Sequence, residues 1–414
     1  MSVAIDIDSL VLAAQPRVAQ AIAPAGSGDG AHALMLAGAP GYGTRAAARW
    51  LARARLCPAG GCDSCDVCGR VDRRSHPDLH WLVAEGVDYT IDAIRELVRT
   101  LRKSPFEGAA HVVVLEDADT LSAANHEAGN SLLTILEEPP APTLFVLMCE
   151  RPALLLPTLR SRSVVVQVPA LDPSALAETL QAAGVSPATL APLGMTMDSL
   201  VRMARGDADR ALGLACAGPE LARYRAAMQV AAGLASGQLL PASAVDMLLT
   251  TIDDAASIAE AQASREFGRM LELMAASEAS SFQSKSNPQG IEQRTRRRVR
   301  RARTHALRLV MADLAAFHRD LIAVACGSSE LIACHDQLPV LTSLAHAPTA
   351  QRAVAALDAI AEVPLRADVN NADITLMLAS LCAELAAIAG GRVRVRRTMG
   401  AGSITPQGVD LALG

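Results

Sequence analysis

The stretch from His32 to Arg45, H-A-L-M-L-A-G-A-P-G-Y-G-T-R, decides how the rest of the chain is read. A short apolar run ends in a glycine-rich turn, and Arg45 to Ala54 then carries helix-forming residues. A strand whose glycines open a helix is the construction of a P-loop. Backbone N–H groups curl around phosphate oxygens, and the helix N-terminus adds the positive end of its dipole. Gly38 and Gly43 keep the G-x-x-x-x-G spacing, with Gly41 between them. The next two positions should be lysine and then serine or threonine, yet they are Thr44 and Arg45. Loss of the lysine removes the ammonium that neutralises the β- and γ-phosphates, and Arg45 cannot ligate magnesium as a hydroxyl does. The expectation is a phosphate cradle with degenerate chemistry.

A chain of 414 residues is long enough for two or three domains with a sizeable core. Abundant alanine and leucine with few aromatics favour helices, and strands built from Val, Leu and Ile. A net charge of −5, well balanced, gives no compositional sign of a nucleic-acid binder. The start M-S-V-A-I-D-I-D has no basic segment leading into an apolar one, so no signal peptide is expected. The longest apolar candidate, Leu376 to Ala389, is broken by Glu384, so no membrane span and a cytoplasmic location are expected.

Downstream of the cradle, C-P-A-G-G-C-D-S-C-D-V-C places Cys57, Cys62, Cys65 and Cys68 within twelve residues. Two consecutive C-x-x-C steps and a fourth cysteine just upstream suit a tetrahedral zinc–thiolate centre, whose closed shell makes it structural. Unmetallated thiols or a redox pair are the alternative. The other five cysteines, Cys149, Cys216, Cys326, Cys334 and Cys382, are expected as buried thiols. His76 and His80 are candidate extra ligands or plain loop residues.

Leu10 to Ala23 reads as a helix, Gly26 to Gly30 as a loop and Leu79 to Ala84 as a strand. Thr90 to Lys103 is an amphipathic helix with Thr90 as N-cap and a stripe of Ile91, Ile94, Leu97, Val98 and Leu101. Its outer face carries Arg95, Arg99 and Arg102, read either as a solvated face or as a DNA-backbone contact. His111 to Asp119, H-V-V-V-L-E-D-A-D, is a buried parallel strand ending in carboxylates, where a Walker B segment holds its magnesium ligand and its base. Here the order is Glu116 then Asp117, reversed from the usual D-E. Asn125 to Glu138 is a helix stopped by prolines, Leu144 to Met148 and Val164 to Val168 are strands, and the alternation implies a doubly wound parallel sheet.

The cysteine cluster, S-H-P-D-L, E-D-A-D, N-S-L-L-T-I-L-E-E-P-P and L-L-P-T-L-R-S-R-S occur here in one order. In that order they resemble the AAA+ clamp-loader family of bacterial DNA polymerase III, nearest its delta prime branch. The resemblance is dense over about residues 1 to 170 and architectural beyond. It implies a ring of subunits that uses ATP to open a sliding clamp and place it on primed DNA. The partners implied are gamma/tau and delta type subunits, with clamp and primed DNA reached through the complex. ATP and Mg2+ would sit at neighbouring subunits, this chain binding nucleotide weakly or not at all, since delta prime members commonly have a degraded P-loop. Arg162, in Ser161-Arg162-Ser163, stands where the family's S-R-C motif reaches into a neighbour's site as an arginine finger. Arg160 competes for that role, and a surface ion pair is the plainer reading of Arg162. Arg210, in G-D-A-D-R-A-L, matches the sensor 2 position or is structural. Sensor 1 is not identifiable at Cys149-Glu150. The alternative function within the family is an active gamma/tau-like motor subunit.

The expected division is an AAA+ P-loop-type core over 1–170 with the zinc module at 57–68, a helical lid over 171–217, an all-helical collar over 218–390 and a tail over 391–414. The collar helices are expected at Leu221–Leu234, Ala242–Met274, Arg294–Cys326, Gln351–Leu365 and Ala372–Ala389, with a flexible connection from Ser277 to Gly290. The basic run Arg294 to Arg303 lacks interleaved aromatics and is read as a solvated helix face or an electrostatic DNA contact.

Overall fold

The computed structural model describes residues 7–83, 89, 91–121, 126–139, 142–276, 288–370 and 373–391. Five strands, β1 (Ala33–Ala37), β2 (Leu79–Val83), β3 (His111–Glu116), β4 (Thr143–Cys149) and β5 (Val164–Gln167), form one parallel sheet in the order β2-β3-β4-β1-β5. β1, β3 and β4 are buried along their whole length, as continuous apolar runs in a sheet covered on both faces must be. Side chains alternate between faces, so Leu34, Val112, Val114 and Val146 join one core while Met35, Val113, Leu115 and Phe145 join the other.

The first face is covered by α1 (Ile7–Ala13), α2 (Pro16–Ser27) and α3 (Thr44–Leu56), with α4 (Asp66–Asp72) beside them. The second is covered by α5 (Ile91–Leu101), α6 (His126–Glu137) and α7 (Pro157–Ser161). On α5, Ile94, Leu97 and Leu101 are buried as the stripe requires, each stabilising by about 1.5–3 kcal/mol. A helical segment follows, α8 (Pro173–Ala182), α9 (Pro187–Leu190), α10 (Met197–Ala204) and α11 (Ala208–Ala215). The remainder is also helical: α12 (Pro219–Ala235), α13 (Pro241–Ala276), α14 (Pro288–Ala325), α15 (Leu338–Leu344), α16 (Ala347–Asn370) and α17 (Ile374–Ala389).

Several expectations are corrected. The helix expected over Leu10 to Ala23 is two helices, because Pro16 cannot donate an N–H within a continuous helix and instead opens α2. That helix runs on through Gly26 and Ser27, so the loop begins at Gly28, whose φ of 93° ends it. Pro288 to Gly290 are the first turn of α14, not a flexible connection, since proline suits a helix N-terminus. Cys216 and Cys326 are exposed, each just past a helix C-terminus, whereas Cys149, Cys334 and Cys382 are buried as expected. The expectations at Thr90, Ala84, Asn125 and Ala372, most of the 277–290 connection and all but Gly391 of the tail fall outside the described residues.

Candidate functional site

Parallel strands bring their C-terminal ends to one edge, so the turn after β1 and the carboxylates after β3 meet there. Gly38 donates its N–H to Cys149 O at 3.0 Å, tying the turn to β4. Gly41 and Gly43 have φ of 81° and 109°, a region that side chains other than glycine's rarely adopt. Gly41 has a second reason to be glycine: a Cβ there would lie 2.0 Å from Asp207 Oδ1. The N-terminus of α11 therefore seats a carboxylate on the turn, and Ala208 N–H donates to Gly41 O at 3.2 Å. Burial raises the Asp207 carboxyl to about 6, so it is largely ionised at neutral pH and repels a phosphate at this point. Beneath the turn, Gln15 Nε2 donates to Tyr42 O at 2.9 Å and to Pro169 O at 2.8 Å.

Glu116 is 4% exposed, and its carboxylate is held by an indole and surrounded by guanidiniums of this chain. Arg74 donates to it at 3.0 Å and Trp81 Nε1 at 2.7 Å, with the Arg74 guanidinium 4.2 Å above the Trp81 ring. Arg45 Nε stands 3.7 Å away and Arg301, from α14, 3.5 Å away. Arg301 also bonds Asp117. Three guanidiniums thus converge where a Walker B pair would hold magnesium. Arg45 reaches further, to 4.0 Å from Asp209 on α11.

The Arg210 guanidinium is held by α14, while the residue's backbone N–H donates to Asp207 Oδ1 at 2.8 Å. It is buried, donates from Nε to Met203 O at 3.0 Å and pairs with Asp313 on α14, which Arg205 also approaches at 3.2 Å. On a helix, consecutive residues diverge by about 100°. Asp209, one position earlier, is what faces the cradle. Arg162 pairs with Glu137 and donates to Thr158 O at 3.3 Å, at the turn before β5. Arg95 and Arg99 are exposed on α5, with Arg99 paired to Glu96, and Arg102 is exposed in the turn just past the helix's last residue.

The four cysteines come together as their spacing implies. Their Sγ atoms lie within 4.8 Å of one another, with Cys57 to Cys65 at 3.6 Å and Cys57 to Cys62 at 3.8 Å. A tetrahedral zinc with about 2.3 Å bonds requires sulfurs about 3.8 Å apart, so the donor set fits. N–H groups help: bonds from Ser64 bring Cys62 down to about 6, and Cys57 is lowered chiefly by the N–H of Cys62. Burial pushes Cys68 up to about 12, so that thiol needs a metal to become thiolate. His76 and His80 are not part of this cluster. His76 is buried, accepting Asp78 N–H at 3.2 Å on Nδ1 with Nε2 3.2 Å from Glu107. His80 faces His111 at 3.2 Å. Arg53 on α3 anchors the module through Asp63 at 3.0 Å and Asp72 at 2.6 Å.

Sequence reasoning does not find Arg74, Trp81, Arg301, Asp207 or Asp209 at the cradle. Local patterns carry no signal for the first three, which arrive from other elements. The last two are within reach, because they lie in the same short motif as Arg210.

A parallel sheet with a glycine turn and carboxylates on its C-terminal edge, continued by a helical region, is a P-loop-type α/β core with a helical C-terminal part. Residues 15–172 match the model of the family described as DNA polymerase III, delta subunit, and over this region the chain is similar to DNA polymerase III delta' subunits. It is 34% identical over 182 residues to DNA polymerase III subunit delta' of Bacillus subtilis, covering 42% of this chain and 54% of that protein. With the delta' subunit of Escherichia coli it shares 39% over 154 residues, 36% of this chain and 45% of that one. Subunit tau of Salmonella typhimurium is 31% identical over 145 residues, 34% of this chain and 22% of that one. The chain spans about half the length of the delta' relatives it matches. No helix among the described residues is long and apolar enough to cross a membrane.

Proposed function

We propose that this chain is a delta prime-like subunit of a DNA polymerase III clamp loader, silent as an ATPase itself, that supplies Arg162 to a neighbouring subunit's ATP site. Its division into core, lid, collar and tail is part of the same reading. The observation that carries it is the occupied cation position: Arg45, Arg74 and Arg301 surround Glu116 and Asp117. Phosphoryl transfer depends almost wholly on positioned cations around the phosphates. Here a lysine is absent, a carboxylate sits on the glycine turn, and the Walker B-like carboxylates Glu116 and Asp117 are already paired with guanidiniums. Similarity to tau subunits keeps an active motor as the second reading.

The isolated chain is therefore expected to turn over no ATP and to raise turnover when mixed with its motor subunits, clamp and primed DNA. Steady hydrolysis by the chain alone, abolished by Glu116→Gln, would transfer the assignment to a motor subunit.

A structural zinc belongs to this proposal, held by Cys57, Cys62, Cys65 and Cys68. It would cross-link the loop after α3 to α4 and supply no chemistry to the cradle. Freshly purified, reduced protein should contain one zinc per chain by elemental analysis, and Cys68→Ser should lose it. A metal-free preparation that melts as sharply as a zinc-loaded one would reject the assignment.

A further inference from the structure

Phe106 is 84% exposed on a segment that the interior holds in place. Asp78, only 1% exposed, accepts the N–H groups of Phe106 at 2.5 Å, Glu107 at 2.9 Å and Gly108 at 2.7 Å. His111, also buried, fixes the other end through Lys103 O at 3.0 Å, and Pro105 restricts φ between them. Glu107 is drawn inward to Arg70 and to His76. Leaving a phenyl ring in water forgoes the gain of burying it, and here the pinned backbone holds the residue's Cα at the surface. Such a ring is preorganised for an external partner.

The neighbours of Phe106 define that partner's charge. Arg102, Lys103 and Ser104 are exposed beside it, and Arg95 and Arg99 continue along the outer face of α5. Among the described residues Arg99 has a carboxylate partner, Glu96, and no ion pair engages Arg95, Arg102 or Lys103. Cations in a row ending in an open aromatic face match a polyanion that carries flat rings. A duplex offers the charge but keeps its bases stacked, whereas a single strand offers both.

We propose that Arg102, Lys103 and Phe106 form a platform for single-stranded DNA, phosphates lying against the two cations and an unpaired base stacking on the phenyl ring. The setting, template beside a primer, comes from the clamp-loader reading, but the site is a property of this chain alone.

The test is fluorescence anisotropy with the full chain and a short labelled oligothymidylate across a salt series. Binding should be measurable at low salt and stronger than for a duplex of equal length. Phe106→Ala should weaken it about ten-fold with the salt slope unchanged, and Phe106→Trp should restore it. Arg102→Ala with Lys103→Ala should instead flatten the slope by roughly 1.4, at about 0.7 per phosphate. Phe106 is too exposed for these changes to unfold the chain, and an unshifted melting curve checks that. Absence of binding at low salt overturns the platform, as does unchanged affinity for Phe106→Ala, which would mark the ring as a contact for protein. Either failure leaves the clamp-loader reading standing, because that rests on ATP turnover in the mixture.

Discussion

Arg162→Ala is expected to cut ATP turnover at the recipient site by about 10³-fold or more while the assembled complex keeps its composition. In the chain alone this guanidinium rests on Glu137, with 37% of its side chain exposed. An ion pair so open to water is worth about 0.2–1 kcal/mol. A finger that spreads positive charge over developing γ-phosphoryl oxygens contributes on the order of 4–7 kcal/mol in rate, from the 10³–10⁵ range such arginines supply. The second term exceeds the first severalfold, so the resting contact does not prevent delivery. Glu137→Ala should leave turnover unchanged or raise it slightly, and Arg162→Lys should fail to rescue because lysine lacks the planar fork. Turnover equal to the wild type for Arg162→Ala, with subunit stoichiometry checked by sedimentation, would remove the finger and direct attention to Arg160.

The second large effect is structural. Asp313 on α14 has no exposure and holds both Arg205, at 3.2 Å, and Arg210. This triad, with Arg202 donating to Glu330 O at 2.7 Å, fastens α10 and α11 to the helical region that follows. Asp313→Ala would leave two guanidiniums without their counter-ion, one of them buried, and should cost about 3–5 kcal/mol. The readout is the urea midpoint together with protease cleavage between α11 and α12. Replacing the group as a whole, Arg205→Met with Arg210→Met and Asp313→Leu, should recover most of the loss, because desolvating charges offsets much of what their pairing contributes. A midpoint unmoved by Asp313→Ala would mean that apolar packing alone carries this junction.

Much was legible because it is local. The sheet strands are runs such as Val112 to Leu115, buried on both faces, and a parallel strand covered on both sides has no polar face to confuse its pattern. The cysteine centre was legible because all four donors lie within twelve residues, a span over which spacing almost determines geometry. Proline placement misleads in one direction only. Pro16 and Pro288 start helices, whereas apolar periodicity puts the first inside a continuous helix and composition puts the second in a loop.

By itself, the sequence determined the parallel α/β core, the lysine-free glycine turn, the four-cysteine cluster and the helical character of the rest. Each depends on periodicity, on residue type or on spacing within a few turns of chain. Only the tertiary structure decided what occupies the cradle. Arg301 lies 184 residues from Asp117 along the chain, and Arg74 lies 42 from Glu116, so no local rule joins them. The same holds for Arg210, whose motif suggests a phosphate contact until the helix phase turns it to Asp313 and brings Asp209 to the cradle. It holds for Phe106 as well, an ordinary aromatic in sequence, whose exposure follows from a buried aspartate 28 residues upstream. Long-range ion pairs and pinned loops follow from how elements pack, and packing is set by the whole core together.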